Sequence, residues 1–306
     1  MEKRYNSYVG YFKNKYGNRL QKIVIDAGFT CPNRDGKISY GGCTYCDNAA
    51  FHPSYSTPDK SIDFQIEEGI QFHKNRYRNA TQFLAYFQPY SNTYASIEVL
   101  KDLYQKALSH PMVCGIVIGT RPDCVDDEKL DYLYELSRKH IVIVEYGIES
   151  CYNRTLEKIN RGHTWEQAVE TIKKTAERDI TQGAHFIFGL PGESRNDMML
   201  MAEKINGLRI DSVKFHQLQI VKGTRIEKEF FERPQEFCTF LLEEYIDFFV
   251  DFLEHLRPDL YIERFAGEVP PRFVNSTPWG LIRNVELLRM LEKRLEQRDT
   301  WQGKLI

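Results

Sequence analysis

From residue 22 onward, short β-branched or aromatic runs alternate six times with longer stretches of helical periodicity. That alternation leaves few folds open, because a helix between two strands carries the chain back to the same end of the sheet and the strands then pair in parallel. The runs lie at 22–26, 83–87, 115–119, 141–146, 184–189 and 212–219, and helices are predicted over 61–78, 96–108, 127–138, 151–178 and 194–206. The expected fold class is α/β, a partial (β/α)6 TIM-like barrel. Nearly every run ends in a polar or glycine-rich loop, such as Cys-Pro-Asn-Arg, Thr-Arg-Pro-Asp-Cys or Gly-Leu-Pro-Gly-Glu. In parallel barrels these loops share one rim, and that rim carries the chemistry.

Beyond about residue 222 the pattern changes. One long amphipathic helix is predicted over 234–256, with Phe237, Phe240, Leu241, Tyr245, Phe248, Phe249 and Phe252 at helical spacing as a core stripe. An irregular Pro-rich segment follows, then a last helix over 281–297 with Leu281, Val285, Leu288 and Leu291 on one side. The expected organisation is a basic aromatic N-terminal arm (1–21), the barrel (22–222), and a C-terminal helical extension packed on it (223–306).

With 306 residues, 42% of them hydrophobic, the chain can bury a large core. No run approaches the roughly 20 apolar residues of a membrane helix, and the first residues lack an apolar signal region, so a cytoplasmic protein with no membrane partner is expected. Seven scattered cysteines fit a reducing compartment rather than a disulfide framework. The net charge of −2 demands no polyanionic partner. Locally, Lys3, Arg4, Lys13, Lys15, Arg19 and Lys22 are interleaved with Tyr5, Tyr8, Tyr11, Phe12 and Tyr16. Two readings stand for that stretch: a surface that holds phosphates and stacks on bases, or a strap whose rings pack onto the barrel.

Cys31, Cys43 and Cys46 follow the first strand, with eleven residues and then two between them. Three thiolates without a fourth suit a 4Fe-4S cluster with one iron open to a ligand that is not protein; a zinc site would recruit His52, and buried structural thiols are the third reading. Spacing alone leaves all three open. Cys114, Cys124, Cys151 and Cys238 read as structural.

Taken with the rim loops, the cysteine run resembles the radical S-adenosylmethionine (SAM) superfamily. The usual spacing there is C-x3-C-x2-C, and the long gap here is similar to the form found in the catalytic subunit of Elongator and its bacterial relatives. Supporting motifs are Thr-Arg-Pro-Asp (120–123), Glu-Tyr-Gly-Ile-Glu-Ser (145–150), Asn-Arg-Gly-His-Thr (160–164) and Phe-Gly-Leu-Pro-Gly-Glu (188–193). The last three also resemble the oxygen-independent coproporphyrinogen dehydrogenases. The nearest likeness is to the YhcC/YtqA-type group, through Gly-Phe-Thr-Cys-Pro-Asn-Arg-Asp-Gly (28–36) and the Phe-Gln-x-Tyr-x-Asn-Thr-Tyr pattern at 87–94. It covers essentially the whole chain.

The resemblance implies a radical SAM barrel in which Cys31, Cys43 and Cys46 ligate a 4Fe-4S cluster whose open iron binds SAM. By the same resemblance Tyr45 lies near the adenine, and Gln88, Asn92 and Thr93 sit where the SAM amino group is met. Glu149 takes the ribose hydroxyls and Arg161 the SAM carboxylate. A carboxylate accepts two hydrogen bonds from a vicinal diol and a guanidinium fits a carboxylate bidentately, so both assignments suit the residue types. Gly189 and Leu190 approach the adenosine, Gln217 flanks the adenine, and Arg264, Arg272 and Trp279 are the implied substrate contacts. No catalytic acid or base is assigned, although His163, His185 and His216 are available for proton transfer.

The implied activity is reductive cleavage of SAM, with a 5′-deoxyadenosyl radical taking hydrogen from a substrate. A reductant such as flavodoxin or ferredoxin is the implied electron donor. The implied substrate is tRNA, modified at the 5-aminomethyl side chain of wobble uridine. There is no room for an acetyl-CoA-using domain like that of Elongator's catalytic subunit, so acyl transfer is not implied. The rival readings are a radical SAM enzyme on a small-molecule substrate, a non-radical zinc or RNA-binding barrel protein, and an electron carrier with a cluster but no SAM pocket.

Overall fold

The computed structural model describes residues 3–76, 81–275, 278–280 and 282–306. Seven strands form one parallel sheet in chain order: β1 (Gln21–Ile25), β2 (Phe83–Phe87), β3 (Val113–Thr120), β4 (Ile141–Glu149), β5 (Thr181–Phe188), β6 (Ser212–Gln217) and β7 (Tyr261–Arg264). The sheet curls into a half-barrel. Its outer helices are α2 (Ile62–Arg76), α3 (Ile97–Leu108), α4 (Asp127–Ser137), α5 (Asn153–Lys158), α6 (Trp165–Glu177) and α7 (Arg195–Asn206); α1 (Tyr8–Tyr16) precedes β1, and α8 (Arg225–Glu232), α9 (Leu242–Glu254) and α10 (Asn284–Gln297) come later.

The two-residue period of each strand sorts its side chains to two faces. In β2, Phe83, Ala85 and Phe87 join the outer core with Ile66 and Ile70 of α2 and Leu100 and Tyr104 of α3. Leu84 and Tyr86 turn inward to Val117 and Ile143. Fully burying each such large apolar side chain contributes about 1.5–3 kcal/mol, so the outer layer dominates the stability of the sheet.

Tyr8 and Phe12 of α1 belong to that inner cluster, and Tyr5 is buried in the outer one. Of the basic residues nearby, Lys3 pairs with Glu292 at 3.2 Å and Arg4 with Asp299 at 3.0 Å. The strap reading therefore describes this stretch: the rings at 5, 8 and 12 are packed, and they offer no face to a base.

Several elements differ from expectation. The fold has a seventh strand, β7, inside the segment read as irregular, so residues 223–306 add to the sheet as well as covering it. The helix expected over 234–256 is shorter than that range: after α8, Pro234 starts a short 3-10 turn, and α9 begins only at Leu242, where the Glu244 carboxylate accepts from the Leu241 amide. Phe237 and Phe240 are buried from that turn, while Leu241 is exposed. The helix expected over 151–178 breaks after Lys158, because Asn160 (φ 53°) and Gly162 (φ 82°) take left-handed backbone. A Thr164–Gln167 capping box then starts α6. Leu281 and residues 77–78 of the predicted helices lie outside the described residues. Among the described residues no helix is long and apolar enough to cross a membrane.

Candidate functional site

The eleven residues between Cys31 and Cys43 fold into a small closed hairpin. Asp35 bridges Tyr40 in antiparallel fashion, and the Gly42 amide donates to the Asn33 carbonyl at 2.8 Å. Gly36 sits at φ 92° beneath the Tyr40 ring, where a Cβ would come within 2.5 Å of ring atoms, so only glycine fits. Cys31 and Cys43 are buried and Cys46 is half-buried; the Cys46 amide donates to the Cys43 carbonyl at 3.1 Å.

The break between α5 and α6 clasps this loop. The Asn33 side-chain amide donates to the Asn160 carbonyl at 2.5 Å and the Arg161 carbonyl at 2.9 Å, and Asn160 returns a bond to the Gly42 carbonyl at 2.8 Å. Two guanidiniums then reach the sulfurs. Arg121 Nη1 donates to Cys31 Sγ at 3.4 Å while forking onto Asp123 at 2.8 and 2.6 Å. Arg161 Nη1 donates to Cys43 Sγ at 3.5 Å, and its Nη2 reaches the Gly147 carbonyl at 2.5 Å and Glu149 Oε1 at 3.6 Å. Glu149 itself has φ 75°, at a point where the β4–β5 register slips. A carboxylate residue held in left-handed backbone stores about 1–3 kcal/mol, a feature concentrated at functional sites.

Burial pushes the Cys46 thiol up to about 12, with Cys43 adding to the effect and Arg34 and Arg161 opposing it. Burial also lifts the Tyr45 hydroxyl well above its ordinary range, aided by Glu149. For Arg161, burial would lower the pKa, but Tyr45, Cys43 and Glu149 together raise it well above the ordinary value, so it stays a cation. His163 is pushed down to about 3 by burial and by Arg161, and is neutral.

Not every expected residue faces this centre. The Asn92 amide group donates to the Pro89 and Gly119 carbonyls at 3.0 and 2.8 Å, and the Thr93 hydroxyl meets Thr120 at 2.6 Å and the Cys124 carbonyl at 2.8 Å. Both are fully buried braces between the loop after β2 and the end of β3. Leu190 is likewise inside, in a small cluster with Leu156, Ile159 and Ile187 on which Tyr45 packs. Gln88 donates to the Phe51 carbonyl at 3.3 Å, and both ends of the Gln217 amide are held by the Gly267 backbone at 2.8 and 3.1 Å.

Gln88, Gly189 and Gln217 do line a cavity of about 1330 Å³ that runs into the half-barrel, and Arg264 and Trp279 line its other parts. Trp279 is fixed by its indole N–H, which donates to the Phe240 carbonyl at 2.9 Å. Arg272 does not line the cavity; its guanidinium lies over the Phe273 ring. His52 is at the lip, its Nδ1 3.4 Å from the Pro53 carbonyl. Among the described residues no three His, Cys, Asp or Glu side chains converge as ligands of a single metal ion. Thiolates that each take a different iron of a cluster need no such convergence.

Two groups of site residues escaped sequence reasoning. Arg121 was visible only inside its motif, and nothing local indicates that it turns back to Cys31. The cavity also contains Lys22, Lys214 and Glu263, with Glu145 behind them. Their signal was present: a lone charge in Ile-Val-Ile-Val-Glu-Tyr or in Ser-Val-Lys-Phe is out of place in a buried strand.

The sequence model of the Radical SAM superfamily matches residues 31–205, from the first cysteine to the end of α7, and that of the Radical SAM C-terminal domain matches 210–297. The chain belongs to the radical SAM superfamily. Within it the chain sides with the YhcC/YtqA-type group: uncharacterized protein YtqA of Bacillus subtilis is 35% identical over 308 residues, which is 99% of this chain and 93% of its own. A tRNA uridine(34) acetyltransferase of Methanocaldococcus jannaschii is 25% identical over 115 residues, 37% of this chain and 21% of its own. Among solved structures, the Elp3 of Methanocaldococcus infernus with an N-terminal deletion superposes with a TM-score of 0.68 at 16% identity, covering 92% of this chain and 64% of that one. That likeness is one of fold, and this chain spans less than two thirds of that Elp3 chain.

Its cofactors are those of the radical SAM superfamily, a 4Fe-4S cluster and SAM, and the enzymes of this superfamily draw on a reductant. The residues present fit both groups. Two buried guanidiniums beside the thiols compensate ionised sulfur, and metal ligation would hold the Cys46 thiol deprotonated despite its burial. Arg161 Nε and Asn33 Oδ1 are buried without a partner in the protein, which leaves polar capacity for a bound ligand beside Cys43.

Proposed function

We propose that Cys31, Cys43 and Cys46 hold the 4Fe-4S cluster and that this chain cleaves SAM reductively to act on tRNA, at the 5-aminomethyl side chain of wobble uridine. The observation that carries the first part is the pairing of Arg161 with Glu149 beside Cys43: a cation for a carboxylate and an acceptor for a diol, in contact with a cluster-loop thiol. When bound, the reduced cluster supplies the electron that splits SAM into methionine and a 5′-deoxyadenosyl radical.

The residues of the chain do the positioning. Arg161 would hold the amino-acid end of SAM, and Glu149 would accept from the ribose hydroxyls. Gly189, with φ 87°, lets backbone approach the adenosine, and a Cβ there would meet the Cys238 carbonyl at 3.0 Å. Gln88 and Gln217 line the cavity, as do Tyr8 and Phe12 of the packed α1 strap. Asn92 and Thr93, also expected at SAM, brace the loop after β2 through the Asn92 amide group and the Thr93 hydroxyl, and Asn92 Oδ1 is left without a partner.

Support for a tRNA substrate is the likeness to the tRNA uridine(34) acetyltransferase and to Elp3. Anaerobic reconstitution with iron, sulfide, dithionite and SAM tests the chemistry: 5′-deoxyadenosine is expected, and the absence of both that product and iron–sulfide absorbance would overturn the reading. Nucleoside analysis of tRNA from a deletion strain tests the substrate, where unchanged wobble uridines would remove tRNA and leave the cleavage chemistry standing.

A further inference from the structure

The inner face of the half-barrel carries a ring of four charges, Glu145 and Lys214 buried and Lys22 and Glu263 half-buried. Lys22 of β1 reaches Glu145 of β4 at 2.5 Å and Glu263 of β7 at 2.6 Å; Lys214 of β6 reaches the same two carboxylates at 2.6 and 3.1 Å. Each ion touches two of opposite sign. Although burial alone would raise it, Lys214 and Lys22 hold the Glu145 carboxyl well below the usual range, with His185 Nε2 a third partner at 3.1 Å. Two positive and two negative charges close on themselves, so the ring is complete without a ligand.

Arg264 is the charge left over. The β6–β7 register slips so that Val213 stands opposite Ile262 but Lys214 opposite Arg264, which leaves Glu263 as an extra residue. In a regular strand, consecutive side chains point to opposite faces; here Glu263 and Arg264 both line the cavity. Glu263 completes the ring. Arg264 is exposed to the cavity, and its side chain has no hydrogen bond or ion pair with another described residue. A guanidinium without an ion pair thus faces a cavity that Gln88 and Gly189 also line, along with the charged Glu268 and Arg283. At about 1330 Å³ the cavity exceeds the roughly 300–1,000 Å³ that a single small ligand fills, which leaves space for a reacting molecule beside SAM.

We propose that Arg264 is the anchor for an anionic group of the substrate, a carboxylate or a phosphate, held by the planar guanidinium beside the neutral Lys22–Glu145–Lys214–Glu263 ring. Both anions match its paired donors. The inference rests on the radical-enzyme reading for the neighbouring SAM, but anion binding is measured without turnover, so failure of either is seen separately.

The test titrates inorganic phosphate and, separately, acetate into the anaerobic holoenzyme with SAM present, following 31P and 1H line widths of the two probes. Saturable binding of either probe is expected, and which one binds names the anion. Arg264→Gln should weaken binding about tenfold or more, the scale of one lost charge-assisted pair. Glu263→Gln should tighten it, because one negative charge leaves the ring. No saturable binding of either probe, or equal binding by wild type and Arg264→Gln, overturns the proposal. Circular dichroism checks folding, and should Arg264→Gln fail to fold, Glu263→Gln decides alone: anion binding no tighter than wild type then overturns it.

Discussion

The Arg161 guanidinium donates to the Cys43 sulfur across 3.5 Å, tying the turn between α5 and α6 to the cysteine loop. Because the same side chain also reaches Glu149, one residue orders both the sulfur side and the ligand side of the centre.

Arg161→Lys keeps the charge and loses the fork. It should lower the rate of 5′-deoxyadenosine formation by about 10–100-fold, as for other residues that orient metal ligands, and raise the KM for SAM. Unchanged KM with normal iron content would remove Arg161 from the SAM site.

Arg121→Gln should act on stability as well as on iron. It leaves the Asp123 carboxylate, with a side chain only 10% exposed, without its cation. Breaking a buried pair from one side costs about 3–5 kcal/mol, which a urea denaturation series of the apo-protein would resolve. A loss under about 1 kcal/mol would show that Asp123 is resolvated.

Glu193 sets a pH dependence. Burial pushes its carboxyl up from 4.5 to about 7, against the bond donated by Ser150. The folded state then binds the proton more tightly than the unfolded chain. The stabilisation is full below about pH 4.5 and is lost as pH rises through about 7, up to about 3 kcal/mol in all. Glu193→Gln mimics the neutral acid and should flatten the dependence of urea midpoint on pH across that window. A slope unchanged by the substitution would assign it to other groups.

Lys214→Met opens the charge ring and should destabilise by about 3–5 kcal/mol, because Glu145, 1% exposed, keeps a single lysine. The double variant Lys214→Met with Glu145→Gln should recover part of that loss. Strict additivity in the cycle would mean that the two charges do not interact.

Much of this fold was legible in the chain. The strand at 83–87 was expected and found with the same ends, because five consecutive apolar or aromatic residues bounded by polar ones admit few alternatives. β7 was not, since Tyr-Ile-Glu-Arg is short and half charged and becomes a strand only by pairing with β6. The break after Lys158 was hidden for a related reason: apolar periodicity does not register the left-handed backbone at Asn160 and Gly162 that brings Arg161 to the cysteines. At the centre, residue types suited to a ligand were visible in the loops. Their directions were not visible: the Asn92 amide group and the Thr93 hydroxyl are taken up by backbone and Thr120, while Asn92 Oδ1 is buried without a partner.

The hairpin between Cys31 and Cys43 leaves and re-enters at nearly one place, sealed where Gly42 bonds back to Asn33. Distance along the chain between these two cysteines is consequently uncoupled from their separation in space. Lengthening such a closed excursion carries only a slow, logarithmic entropy penalty, about 0.6 kcal/mol for each doubling. A fixed count of intervening residues is then a habit of descent rather than a demand of geometry, and variants with a shortened or extended tip that retain Asn33 and Gly42 should still bring the two sulfurs to Arg121 and Arg161.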